Sequence, residues 1–101
     1  MKKPIPPIKW DIIYTEHANR SFKKLDRPAY VKIRHFIDET LRREPYPRRL
    51  GYALSGMRGV WRYRVGEYRL ICEIHDDKLT IVAIHVGHRQ NVYKKLHLVK
   101  S

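Results

Sequence analysis

The residues that decide the fold are 60–75, VWRYRVGEYRLICEIH. Bulky apolar residues alternate with arginines in the first half: Trp61, Tyr63 and Val65 against Arg62 and Arg64. Such alternation specifies a strand with one buried and one open face. Gly66-Glu67 supplies a two-residue hairpin turn of type II′, with glycine first. Residues 68–75 then return as a second strand. If Val65 pairs with Tyr68, Arg64 lies directly across from Arg69, and Arg62 lies across from Ile71. Side chains two apart share a face. Arg62, Arg64 and Arg69 therefore gather on one side. Trp61, Tyr63, Val65, Tyr68, Leu70 and Cys72 project from the other, toward a core. Like charges opposed across a sheet cost a few tenths to ~1 kcal/mol. An anion between the arginines would offset that cost, since each guanidinium donates two parallel hydrogen bonds to a phosphate. Glu73 is the nearest counter-ion on these strands, and one glutamate does not neutralise three arginines.

Working outward, Asp76-Asp77 is a turn signal, and residues 79–86 read as a third strand of an antiparallel meander, ended by Gly87. Upstream, residues 9–14 (KWDIIY) read as a first strand. Thr15 is an N-cap for a short helix carrying Ala18, Phe22 and Leu25, ending near Asp26. Asp26 caps a second helix with Pro28 in its first turn. Its apolar stripe of Val31, Ile33, Phe36, Ile37 and Leu41 runs on to about Arg43, and Pro45 and Pro47 stop it. Residues 50–59 hold three glycines and no clear period, as in a loop or an irregular strand start. Residues 90–98 suggest a short C-terminal helix, and residues 1–7, with three prolines, an extended arm. The order β-α-α-β-β-β, with a possible last helix, predicts one α+β domain of two layers: an antiparallel sheet packed against an αα-hairpin.

A chain of 101 residues builds one modest core. Lysine plus arginine is 22 and aspartate plus glutamate 10, a net charge of +12. Charge of that size on a small domain attracts polyanions, nucleic acid foremost. With one cysteine, Cys72, no internal disulfide forms, which suits a reducing cytoplasm. No run approaches the ~20 apolar residues of a membrane helix, and the basic N-terminus lacks the apolar segment of a signal peptide.

The third strand ends in VGHR, which brings His88 and Arg89 toward Arg69, and Tyr93 can return over the same patch. Arginines, a histidine and a tyrosine around one patch are the parts of a phosphoryl-transfer site. Histidine or tyrosine would move protons, and arginines would stabilise a pentacoordinate phosphate. Other chemistries find no support: there is no zinc spacing, no P-loop and no nucleophile motif at Ser21 or Ser55. Cys72, between Leu70 and Ile74, reads as core, and His85 as structural, on the core side or its rim. Lys23, Lys24, Arg27, Lys32, Arg34, Arg42 and Arg43 on the helices are candidate RNA-backbone contacts.

The block LSGMRGVWRYRVGEYRLICEI, the DDKL turn and IVAIHVGHRQNVY together resemble the RelE/ParE superfamily of bacterial type II toxins, the RelE branch most closely. The features are a leucine-glycine loop, a basic strand, a G-x-Y-R-L hairpin, a strand ending V-G-[HK]-R, and a downstream V-Y. The likeness is specific over residues 50–93 and general before them. It implies a toxin held by a cognate antitoxin in a hetero-oligomer. It also implies metal-independent cleavage of mRNA on the ribosome by 2′-hydroxyl attack, with no cofactor. The family's two basic-strand lysines correspond to Arg62 and Arg64, its hairpin arginine to Arg69, its V-G-[HK]-R arginine to Arg89 and its tyrosine to Tyr93. Arginine stays protonated, with a pKa above ~12, so it is a poor base, and proton abstraction falls to Tyr93 or to His88. Two alternatives remain at this level: a ParE-like toxin that poisons DNA gyrase without cutting RNA, and a non-catalytic RNA- or ribosome-binding module.

Overall fold

A computed structural model of the chain describes residues 9–94. The expected N-terminal arm and the end of the expected last helix lie outside them. β1 (Asp11–Tyr14) leads into α1 (Glu16–Lys23), where the Thr15 hydroxyl accepts from the Ala18 amide at 3.0 Å. The Asp26 carboxylate caps α2 (Arg27–His35) in the same way, at 2.9 Å from the Ala29 amide. Both caps fall where the sequence places them. After His35 the helix does not continue as a regular α-helix to Arg43. It widens into a π-helical segment, Phe36–Leu41, with the Arg42 amide reaching back to the Ile37 carbonyl at 2.9 Å. This keeps both Ile37 and Leu41 buried.

The remaining strands are β2 (Tyr52–Ala53), β3 (Val60–Val65), β4 (Tyr68–His75) and β5 (Thr80–His88), in a single sheet of order β1-β5-β4-β3-β2. The β3–β4 register is the one expected, with Val65 on Tyr68, Arg64 on Arg69 and Arg62 on Ile71. Gly66 adopts φ +59 at the first turn position, while Glu67 has no positive φ, as a type II′ turn requires.

Five features depart from expectation. The sheet is mixed, because β1 joins β5 in parallel, Asp11 to Thr80 through Tyr14 to Ala83. The chain between them runs through both helices to β2 at the far edge and back through β3 and β4, ample for the long connection that parallel neighbours need. The glycine-rich loop contains β2, held on β3 with Tyr52 opposite Arg62. β5 starts one residue late, after Leu79 in a left-handed turn (φ 47), and runs on to His88. It also carries a bulge. Ile71 pairs with His85 but Cys72 with Ala83, so Ile84 is an extra residue. Residues 90–94 form turns rather than the first part of a helix.

The helices cover the sheet face that bears Tyr63, Val65, Leu70 and Cys72. Phe22, Ile33, Ile37 and Leu41 complete that core. A smaller cluster of Val60, Ile71 and Val92, with Leu54 and Met57, lies on the arginine face. Tyr63 is fully buried, and its hydroxyl donates to the Pro47 carbonyl at 2.9 Å. Gly51 passes so close to β3 that a Cβ there would meet the Arg62 carbonyl at 2.6 Å and the Tyr63 ring at 2.8 Å. Backbone cannot swing aside as a side-chain end can. We therefore expect Gly51→Ala to destabilise the domain by about 1–3 kcal/mol in urea melts. Cys72 is buried, which pushes its thiol pKa up. Less thiolate forms, so Cys72 should resist a thiol reagent at mildly alkaline pH until denaturant is added.

Candidate functional site

β3 and β4 carry the site because their alternation leaves the arginines on the face opposite the helices. Arg64 and Arg69 are cross-strand partners, ~5 Å apart at Cα, and Arg62 and Arg64 are spaced by ~7 Å along the strand. Arg62 donates through Nη1 to the Tyr93 hydroxyl oxygen at 2.9 Å, so the terminal turn does return over the patch. Arg69 donates to the Gly66 and Tyr68 carbonyls at 3.0 and 2.9 Å, folding back on the hairpin turn. Arg89 reaches the same turn, its Nε 2.9 Å from Glu67 and its amide 2.8 Å from the Glu67 carbonyl. The face thus brings together Arg62, Arg64 and Tyr93, with Arg69 and Arg89 at the turn end.

Carboxylates hold six of the twelve arginines, and Arg27, Arg42 and Arg58 share with the arginines of β3 and β4 the lack of one among the described residues. Arg20, Arg34, Arg43, Arg48, Arg49 and Arg89 each lie 2.7–3.7 Å from a carboxylate. Arg62, Arg64 and Arg69 have no carboxylate partner among the described residues. Two of the three rest on tyrosines instead. The Arg62 and Arg64 guanidiniums sit 5.5 and 4.9 Å from the Tyr52 ring, and Arg62 is 5.9 Å from the Tyr93 ring. Arg62 Nε is buried without a hydrogen-bond partner. An unsatisfied buried donor costs about 1–3 kcal/mol, and an anion seated beside Arg62 would remove that cost.

His88 stays at the turn end, its Nε2 3.9 Å from the Glu67 oxygen that Arg89 also holds, but it projects from the other face. It pairs with Tyr68, on the helix-side face, and its ring stands edge-on to Tyr68 at 5.7 Å. The bulge at Ile84 is the reason. Ala83 and Val86 both face the main core although three residues apart, so every later β5 side chain has switched sides. The same switch brings His85 to the rim, where its Nδ1 lies 3.0 Å from His17 Nε2 on α1. A cavity of about 590 Å³ opens there, lined by His17, Arg20, Lys24, Tyr68, His85 and His88 among others.

The basic helix residues lie on the helix layer, across the sheet from the arginine face. Lys23 and Arg27 border a groove beside Tyr14 and Tyr30. Lys24 lines the His17–His85 cavity. Arg34 bonds Asp38 at 3.6 Å and sits over the Tyr14 ring. Arg42 donates to the Trp10 carbonyl at 3.3 Å, and Arg43 faces Glu39 at 3.7 Å. Lys32 alone of this set comes close to the Gly66 turn. Among the described residues no three histidine, cysteine, aspartate or glutamate side chains cluster as metal ligands. No described helix is long and apolar enough to cross a membrane.

Sequence reasoning missed Tyr52, because a two-residue strand has no period to detect. It also missed the His17–His85 contact, which joins residues 68 apart in the chain.

A mixed sheet with an αα-hairpin on one face and an arginine row on the other defines a small basic α+β domain. Residues 12–93 match the family model for the ParE toxin of type II toxin-antitoxin systems, parDE. The chain is 31% identical over 87 residues to Toxin RelG of Mycobacterium tuberculosis, covering 85% of this chain and 98% of that protein. The toxin-antitoxin complex RelBE2 of the same organism superposes with a TM-score of 0.73 at 31% identity, covering 81% of this chain and 93% of that one. A double mutant of the E. coli toxin RelE in the free state shares the fold, with a TM-score of 0.72 at 20% identity over 92% of this chain and 97% of that one. The chain belongs to the RelE/ParE superfamily of type II toxins.

Arg64 and Arg69 repel each other across the sheet, so Arg64→Gln should raise stability by a few tenths to ~1 kcal/mol. Phosphate should raise the melting temperature of the unmodified protein more than that of the variant. Equal shifts would mean that the face does not hold the anion.

Proposed function

We propose that this toxin is a ribosome-dependent endoribonuclease that inhibits translation by cutting mRNA. The observation that carries this reading is the pair Arg62 and Arg64, held on tyrosine without a carboxylate, with Arg62 Nε buried and unsatisfied. Such groups suit the charge that builds on a phosphate in its transition state. Arg62, Arg64, Arg69 and Arg89 hold the scissile phosphate, and the arginines supply the positive charge that a metal would otherwise bring. The 2′-oxygen bonds to phosphorus as the bond to the 5′-oxygen breaks, leaving a cyclic phosphate and a 5′-hydroxyl. One proton leaves the 2′-hydroxyl and one reaches the 5′-oxygen. Tyr93 is the favoured proton-transfer group. Its oxygen accepts from Arg62, so its own proton is free to point at a bound group. His88, the other candidate, projects from the opposite face after the β5 bulge, with its Nε2 3.9 Å from Glu67 beside Arg89.

The helix residues Lys23, Lys24, Arg27, Lys32, Arg34, Arg42 and Arg43 serve rRNA backbone contact in this reading, and the site of action is the cytoplasm. A cognate antitoxin holds the toxin in check in a hetero-oligomer. Solved complexes from M. tuberculosis and Pyrococcus horikoshii pair RelE-like toxins with their antitoxins, and a chain of charge +12 favours an acidic partner.

Arg69→Ala and Arg89→Ala should each abolish growth arrest on induced expression while keeping a native circular-dichroism melt. Normal toxicity in both would reject the reading. Tyr93→Phe should slow cleavage on programmed ribosomes by about a hundredfold or more while still binding RNA. The match to the ParE family model supports a second reading, a gyrase poison. Primer extension on a translated message after induction separates them. Cuts within codons that depend on translation support the nuclease, and intact mRNA with DNA damage supports the gyrase poison.

A further inference from the structure

We infer that Tyr52 is a positioning residue of the arginine face, holding Arg62 and Arg64 with its ring so that both charges stay fixed and available to a phosphodiester. The identity of that anion rests on the endoribonuclease reading. Tyr52 pairs directly with Arg62 and lies diagonal to Arg64, so all three share one face. Gly51 makes this possible, since its bare Cα lets β2 close onto the Arg62 carbonyl.

A ring and a carboxylate do different things to a guanidinium. A carboxylate holds it through the N–H fork and cancels its charge, the same fork and charge that a phosphate needs. A ring attracts the cation through its quadrupole, adds no net charge and leaves the N–H edges open. Elsewhere the molecule uses carboxylates freely, as at Arg48, which lies over the Trp61 ring but has its fork closed by Asp76, with Nη1 and Nη2 at 2.9 and 2.7 Å from the two oxygens. On the arginine face it uses Tyr52 for Arg62 and Arg64.

The main core does not account for this tyrosine. Tyr52 is 52% exposed and belongs to neither buried cluster. Its hydroxyl has no hydrogen-bond partner among the described residues, so the ring is the working part. Among the described residues Tyr93 meets Arg62, through its ring and its oxygen, and Arg64 lies over the Tyr52 ring, which gives it its aromatic support.

The test compares Tyr52→Phe, Tyr52→Ala and Tyr52→Glu by fluorescence anisotropy. The probe is a labelled single-stranded 2′-O-methyl oligoribonucleotide, which cannot supply the attacking hydroxyl. The Phe variant should bind within twofold of the unmodified protein. The Ala variant should bind roughly five- to tenfold more weakly, the loss of two exposed cation–ring contacts, with its salt dependence unchanged. The Glu variant grips the same arginines but neutralises them. It should bind more weakly than Ala, with a log–log salt slope shallower by about 0.7–1.4. A merely structural tyrosine would not order the three variants this way.

Binding by Ala equal to that of the unmodified protein overturns the inference. So does a Glu variant that matches Ala in affinity and slope. Should Ala melt early, Phe and Glu, which both fill the site, decide the matter by affinity and slope alone. Unmodified protein that binds the probe but cuts no message on the ribosome rejects the nuclease reading and leaves the Tyr52 comparison standing. Unmodified protein that does not bind the probe overturns both.

Discussion

The β3–β4 register is the constraint on which the rest of the structure depends. One turn, Gly66-Glu67, sets Val65 against Tyr68, and every later pair follows. Because side chains alternate with a period of two, a slip by one residue would exchange the two faces. The core would lose Tyr63 and Leu70, both fully buried, and receive Arg64 and Arg69 instead. That penalty far exceeds the like-charge cost of the Arg64–Arg69 pair, so the fold tolerates the repulsion to keep its core. The arginine face is thus a by-product of core packing in position, and a specialised surface in composition.

The two faces of the sheet are handled by opposite means. On the helix side, the Thr15 and Asp26 caps and the π-helical segment fit the helices onto Tyr63, Val65 and Leu70. On the other side, among the described residues, a small cluster around Val60, Ile71 and Val92 covers the sheet. Its role is to bring the terminal turn back, so that Tyr93 reaches Arg62. The Arg48–Asp76 pair shows the contrast in electrostatics. It ties a loop to the β4–β5 turn, and its mutual bonding holds the Asp76 carboxyl below its usual range. That pair is a closed interaction with nothing left to offer a ligand. The Tyr52–Arg62–Arg64 grouping is open.

Much of this was legible along the chain. The hairpin register, both helix caps, the core residues Phe22, Ile33 and Ile37, and the meander followed from periodicity and turn chemistry, which are local. The family likeness rested on the same C-terminal half and agreed with it. What escaped was non-local or too short to have a period. The parallel seat of β1 beside β5 depends on a partner some 70 residues away. β2 is two residues long. The bulge at Ile84 sits in a mostly apolar run, IVAIHV, where no clear alternation marks the extra residue.

That bulge decides a placement that the sequence left open, the face from which His88 projects. From the residues alone, His88 and Tyr93 were equal candidates to move a proton, because an unbroken β5 would aim His88 at Arg69. The sequence determined which arginines share a face, since the hairpin turn and the two-residue period are properties of adjacent residues. Only the tertiary structure decided which tyrosines join them, Tyr93 at Arg62 and Tyr52 at Arg62 and Arg64. One extra residue in β5 turns His88 away, while Val92 packing on Ile71 and Gly51 closing on β3 bring Tyr93 and Tyr52 in.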